Sequence, residues 1–157
     1  MELKAGGTLF AVRDLKESLT FYRDVLGMEI VNDFGANVVL SGGLSLQTLE
    51  SWAGFLGKQM EAVRFGGNDA ELYYEADDFD AFLKILEQRP EVELVHPAQE
   101  HGWGQRAVRL YDPDRHIIEV GESMAKVARR FFDSGLSEEG VARRMDVSLE
   151  YVRELLK

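Results

Sequence analysis

Val12-Arg13-Asp14-Leu15-Lys16-Glu17-Ser18-Leu19 and Ala76-Asp77-Asp78-Phe79-Asp80-Ala81-Phe82-Leu83 are two versions of one structural instruction, with Asp14 and Asp78 standing 64 positions apart. In the first, Leu15, Leu19, Tyr22 and Leu26 recur at helical spacing; in the second, Phe79, Leu83 and Leu86 take the equivalent places. Apolar residues so spaced share one face of a 3.6-residue helix, and that face needs covering. Asp14 and Asp78 stand just ahead of the first turn, where a carboxylate accepts from the free amides of a helix start. Before each helix runs a short alternating stretch, Thr8 to Val12 or Glu71 to Ala76, which predicts a strand. A strand-helix unit that returns after about 60 to 70 residues predicts two half-domains sharing one core, because neither half buries its sheet alone. Paired modules predict a cleft, and the cleft is where function is expected.

Outward from the two helix starts, the rest of each half follows. Gly27 suits a left-handed helix end, and Met28 to Asn32, Asn37 to Leu40 and Leu44 to Leu49 read as three strands joined by glycine turns. The second half repeats the order: a helix from Phe79 to about Gln88, then strands at Val92 to Val95, Arg106 to Tyr111 and Ile117 to Gly121. The expected domain is residues 1–121, with modules at about 1–50 and 69–121. The connector 51–68 carries Trp52, Phe55, Leu56 and Met60, enough to pack as a short helix or lid.

Composition bounds the function. With 157 residues, 45% of them apolar, the chain suits one buried domain plus a small appendage. Cysteine is absent, which excludes disulfides, thiolate nucleophiles, zinc fingers and iron-sulfur clusters; a metal would rest on His, carboxylate or amide ligands. No apolar run is long enough for a membrane span, and Met1-Glu2-Leu3-Lys4 does not open a signal peptide, so a cytoplasmic protein without membrane partners is expected. The formal net charge is −10, and the acidic excess sits in residues 1–120 while the remainder is balanced. Such a domain repels nucleic acid.

Two further stretches carry a resemblance. Phe21-Tyr22-Arg23-Asp24-Val25-Leu26-Gly27 and Asp112-Pro113-Asp114-Arg115-His116-Ile117-Ile118-Glu119 resemble the paired signatures of the glyoxalase, bleomycin-resistance and extradiol-dioxygenase superfamily, the vicinal oxygen chelate proteins. The resemblance spans about residues 3–121. It implies an α+β fold of two βαβββ modules forming a curved mixed sheet around a ligand cavity, with the helices outside. Arg115 stands where relatives carry Gly. The fold is implied more narrowly than the reaction, since the superfamily holds lyases, isomerases, epimerases, dioxygenases, thiol transferases and drug-binding proteins.

Local chemistry agrees at the last strand. Asp112-Pro113 starts a turn, and if Ile118 and Val120 face a helix, Glu119 faces the other way. Members of the superfamily that use metal place ligands at four inward positions, which by spacing fall here on Gly7, Gln47, Glu71 and Glu119. Gly7 has nothing to donate. Gln47, Glu71 and Glu119 would make an oxygen site favouring Mg or Mn over Zn, Ni or Fe, open to a bidentate substrate. Glu71 or Glu119 would instead serve as a general base if burial raised its pKa. The alternative is a metal-free cavity for an organic ligand. Two inward carboxylates then require a positive group or a shared proton nearby.

Other candidates lie around these. His96 falls in an expected loop, His116 differs in parity from Glu119, and His101, in Glu100-His101-Gly102-Trp103-Gly104, is the acid-base candidate on a loop able to close. Trp52, Phe55, Tyr73 and Trp103 offer stacking surfaces for a flat ligand, with core filling the competing role for Phe55 and Tyr73. Arg109 or Arg106, but not both from one regular strand, would recognise a carboxylate.

Residues 122–157 predict an all-helical appendage: Met124 to Asp133, Ser137 to Arg144 and Ser148 to Leu156, with Ser137 and Ser148 as N-caps. The spacing resembles a helix-turn-helix of sigma factors and transposases, but the last helix carries as many acids as bases, so DNA reading is not expected. Packing on the domain, with Arg129, Arg130, Arg143 and Arg144 toward its acids, or self-association is expected instead. Together these features predict a homodimeric small-molecule-binding protein. Divalent-metal lyase or isomerase chemistry through Glu71, Glu119 and His101 is one outcome. Sequestration of a drug or antibiotic is the alternative, and a ligand-responsive regulator the second.

Overall fold

The computed structural model describes residues 1–157, in which the order β-α-β-β-β occurs twice and three helices follow. The fold is α+β, and its strands form two separate four-stranded mixed sheets. Residues 1–69 with 112–116 make one compact unit; residues 70–111 with 117–157 make the other.

In the first unit, β1 (Thr8–Val12), α1 (Leu15–Leu26), β2 (Ile30–Asp33), β3 (Asn37–Leu40) and β4 (Leu44–Thr48) form a sheet of order β1-β4-β3-β2. Strands β1 and β4 are parallel and the other pairs antiparallel. Asp14 caps α1 as its position predicts, its Oδ1 accepting from the Glu17 amide at 2.9 Å. Gly27 ends the helix at φ 66°, and the Gly27 and Met28 amides donate back to Arg23 and Tyr22 carbonyls. Those amides are thereby withheld from a sheet, and β2 starts at Ile30 rather than Met28. Val12, Tyr22, Val25, Val38, Leu40, Leu44 and Leu46 form the buried side. The connector is helical, with α2 (Leu49–Leu56) and a 3₁₀ turn at Met60–Ala62.

The turn 112–116 belongs with this unit for a polar reason. Asp112 is buried and its Oδ2 accepts from the Tyr22 hydroxyl at 2.9 Å and from His116 Nδ1 at 2.8 Å. Asp112 Oδ1 takes the amides of Asp114 and His116, and Asp114 accepts from the Arg13 amide and guanidinium. His116 stacks on Phe10 at 4.0 Å. Arg115 adopts a left-handed φ of 68° within this turn.

In the second unit, β5 (Glu71–Ala76), α3 (Phe79–Glu87), β6 (Leu94–Glu100), β7 (Arg106–Tyr111) and β8 (Ile117–Glu122) repeat the arrangement, with sheet order β5-β8-β7-β6 and β5 parallel to β8. Asp78 caps α3 through the Ala81 amide at 2.9 Å. Here the expected loop at His96 is corrected: β6 runs from Leu94 through Pro97 to Glu100. It is an edge strand with register shifts, so the missing amide of Pro97 breaks no ladder. Alternation sorts the faces. Val108, Leu110, Ile118 and Val120 are buried on the side of Phe79, Phe82 and Leu86 from α3. Glu71, Tyr73, Glu75, Arg109 and Glu119 share the other side.

The appendage folds as α4 (Met124–Asp133), α5 (Glu138–Met145) and α6 (Leu149–Leu155) around Val127, Ala128, Val141, Met145 and Val152. Ser137 and Ser148 cap α5 and α6 through the Gly140 and Tyr151 amides. No helix is long and apolar enough to cross a membrane.

Candidate functional site

The polar face of the second sheet centres on one arginine between two acids. Arg109 and Glu119 are register partners on β7 and β8, and Tyr73 on β5 pairs with Glu119 from the other side. Arg109 Nε donates to Glu71 Oε2 at 2.7 Å and Nη2 to Glu71 Oε1 at 3.3 Å, and Nη2 also pairs with Glu119 Oε2. A fork-shaped guanidinium suits this double engagement. The positive group that two facing carboxylates require is therefore supplied by the chain itself.

The two acids differ in environment. The Glu119 side chain is only 7% exposed against 37% for Glu71. Burial pushes the Glu119 carboxyl above its ordinary range, opposed by Arg109 and reinforced by the charge of Glu71. The Arg109 hydrogen bond holds the Glu71 carboxyl below its ordinary range, outweighing its burial. Glu119 is thus the acid that takes a proton first, and the same interactions hold Arg109 firmly charged.

A second chain of polar contacts runs beside it. Trp103 Nε1 donates to Gln105 Oε1 at 3.2 Å, Gln105 Nε2 donates to the Tyr73 hydroxyl at 2.7 Å, and Tyr73 donates to Glu75 Oε1 at 3.1 Å. Glu75 Oε2 accepts the Met124 amide at the start of α4. Burial, partly offset by the Gln105 hydrogen bond, raises the Tyr73 phenol to about 12. His101 stacks on Trp103 at 4.4 Å, acts electrostatically on both Glu71 and Glu119, and keeps its Nε2 buried without a partner. His96 Nε2 stands 3.4 Å from Arg109 Nη1, which its expected loop position did not foretell.

The sequence candidates thus separate. Glu71, Arg109 and Glu119 come together, with Tyr73, His101 and Trp103 around them. Arg106 faces the helix side, where it pairs with Glu122 and Asp80, so the parity argument distinguished the two arginines. Gln47, Trp52 and Phe55 lie in the first unit. Gln47 is buried, its Oε1 accepting from Asn37 Nδ2 at 2.8 Å and its Nε2 donating to Ser51 Oγ at 2.6 Å. Phe55 is 73% exposed and Tyr73 46%, so neither is core filling. Gln105 and Glu75 were not candidates, and nothing in their sequence surroundings marks them; only the β6–β7 loop and the β5 register bring them to Tyr73.

The donor set fits a divalent metal poorly. Strand register matches Leu9 and Ser45 in the first sheet to Tyr73 and Glu119 in the second, so Ser45 rather than Gln47 occupies the place of Glu119. Gly7 precedes β1 at φ 131°, a backbone that disfavours any side chain. No three His or acidic side chains converge in metal-holding geometry, and Arg109 already fills the space between Glu71 and Glu119 with positive charge.

Comparison with known proteins agrees with this architecture. Residues 6–125 match the glyoxalase-like domain model, which ends within α4. A protein of unknown function from Agrobacterium tumefaciens str. C58 is 36% identical, with a TM-score of 0.71 over 79% of this chain and 97% of that one. A glyoxalase-related enzyme from Fulvimarina pelagi (20% identity, TM-score 0.65, 77% and 89% covered) and a lactoylglutathione lyase from Agrobacterium tumefaciens (23%, 0.55, 78% and 96%) share the fold. None of the curated proteins matches the sequence. The chain therefore belongs to the glyoxalase-like domain family.

Proposed function

We propose that this chain binds a small organic molecule on the polar face of its second sheet, with Arg109 in the role that a metal cation would otherwise fill. The observation that carries this reading is the single guanidinium shared by Glu71 and Glu119. With Glu75 alongside, the face keeps a net negative charge, and Tyr73 and Trp103 expose ring surface beside it. Those features favour a ligand that combines a flat ring with a positive or hydrogen-bond-donating group. Sequestration of such a compound is the function best supported. A homodimer is part of the proposal. DNA reading is no part of it, because the last helical stretch, Ser148 to Lys157, carries two acids against two bases.

Lyase or isomerase chemistry keeps one supporting observation: Glu119 is a buried carboxyl with a raised pKa, suited to exchange a proton with a bound substrate, and His101 stands near it. The test uses protein purified without added metal. Elemental analysis should find less than stoichiometric divalent metal, and N-methylacridinium should quench Trp103 emission in a Trp52→Phe background. Glu71→Gln should weaken that binding about tenfold, the scale of one charge-assisted hydrogen bond. A stoichiometric Mg or Mn lost in Glu119→Gln would restore the metal-dependent reading.

A further inference from the structure

The loop that carries His101 and Trp103 joins β6 to β7 and is closed by two backbone hydrogen bonds, from the His101 amide to the Gln105 carbonyl and from the Gly104 amide to the His101 carbonyl, both 2.8 Å. Its outer carbonyls are held by the C-terminal helices. Arg144 Nη1 on α5 donates to the Gly102 carbonyl at 2.5 Å, and Arg130 Nη2 on α4 donates to the Gly104 carbonyl at 2.6 Å. Each arginine is anchored on the sheet as well, Arg144 by Glu100 at 3.6 Å and Arg130 by Glu122 at 3.1 Å. Between them sits the Phe131 ring, with the Arg130 and Arg144 guanidinium carbons 5.0 and 4.8 Å from its centroid. The ring lies so close to Gly104 that a Cβ there would stand 2.6 Å from Phe131 Cε2, at a φ of +91°. Glycine alone lets the aromatic ring seat on this loop.

These contacts come from two helices and converge on one five-residue loop. All three side chains lie beyond residue 125, outside the part of the chain shared with its family. A bundle that needed only to cover a sheet edge would not direct two charged donors at carbonyls two residues apart in one short loop. Held this way, the loop keeps the His101 Nε2 buried beside Glu71 and Glu119, and Trp103 bonded through Gln105 to Tyr73.

We propose that the C-terminal helices clamp the β6–β7 loop, with Arg130 and Arg144 as positioning residues that set His101 and Trp103 beside the Glu71-Arg109-Glu119 site. The inference rests on the ligand site proposed above. His101, His96 and His116 are the three histidines of the chain, so carbethoxylation by diethyl pyrocarbonate, read peptide by peptide, reports each one separately. In the full-length protein, Arg144→Ala and Arg130→Ala should each speed modification of His101 about tenfold, the factor for one lost charge-assisted hydrogen bond, and leave His116 unchanged. Arg144→Lys, which keeps a donor, should restore part of the protection. Arg129→Ala should leave His101 slow, because that guanidinium donates to the Leu156 carbonyl inside the bundle.

N-methylacridinium binding by calorimetry supplies the second readout. Loss of the clamp should weaken it at least about fivefold, since a mobile loop must be ordered again on binding. An unchanged His101 rate in the Arg130→Ala, Arg144→Ala double variant, or an equal rise at all three histidines, overturns the clamp. Release of His101 with unaltered acridinium affinity overturns its positioning role. Release of His101 in a protein that never binds acridinium upholds the clamp and sinks the ligand site instead.

Discussion

Arg109→Met removes the guanidinium between Glu71 and Glu119 while keeping an apolar stem in its place. Taking away one partner of a fully buried ion pair costs about 3–5 kcal/mol, because a charge is left uncompensated. Glu71 is more than one-third exposed, so its share is screened and small, whereas Glu119 is 7% exposed and dominates. Arg109 itself is 25% exposed, which lets water reach the vacated space, and the expected loss at about pH 7.5 is roughly 2–3 kcal/mol.

The sign of the pH dependence follows from the two acids. Glu119 titrates above its ordinary 4.5 in the folded chain, so its contribution is complete below 4.5 and is lost as pH rises through the folded value. Without Arg109 its pKa moves higher still, and the loss at neutral pH deepens. Glu71 is depressed, so its stabilisation is present above 4.5 and lost as pH falls; the variant lacks that contribution throughout. Both effects make the penalty small at about pH 4 and full at about pH 7.5. Urea denaturation of the native chain and the variant at both pH values measures it, with equal m-values required. Adding Glu119→Gln should recover at least about 1 kcal/mol at neutral pH by removing the stranded charge. A penalty equal at the two pH values, or larger in acid, refutes the geometry.

Three other outcomes are expected. Tyr22→Phe deletes the hydroxyl that donates to fully buried Asp112 and should cost about 1–3 kcal/mol in thermal denaturation; a neutral effect would mean that His116 alone satisfies that oxygen. Gly104→Ala meets both a left-handed φ and the Phe131 ring, and should cost about 1–3 kcal/mol and loosen the loop, whereas a stabilised protein would show that the ring is not seated there. Tyr73 is raised to about 12, so Tyr73→Phe should leave the tyrosinate absorbance titration unchanged through pH 10 and lower only its most alkaline part.

Much of this was readable from single residues because the physics involved is local. Asp14 and Asp78 cap because a carboxylate before a helix reaches amides three positions on, and Gly27 ends α1 because it alone takes φ 66° freely. Glu119 had to oppose Ile118 and Val120 on any regular strand, and Arg106 had to oppose Arg109. The β6 strand was underestimated because Pro97 reads as a strand breaker unless the strand is known to lie at an edge. Gln47 follows from spacing along the chain, which takes no account of strand register. Parallel pairing of β1 with β4 aligns Ser45, two residues earlier, with the position of Glu119.

Sequence alone determined the duplicated βαβββ plan, the capped helices, the acidic charge of the domain and the sheet face on which Glu71 and Glu119 lie, since each depends on residues within a few positions of one another. Tertiary structure decided that Arg109 reaches both acids, that Gln105 links Trp103 to Tyr73, and that Arg130 and Arg144 reach the carbonyls of the β6–β7 loop. Those contacts join residues distant in the chain, and hydrogen bonds form by position in space, which spacing along a strand or helix does not specify.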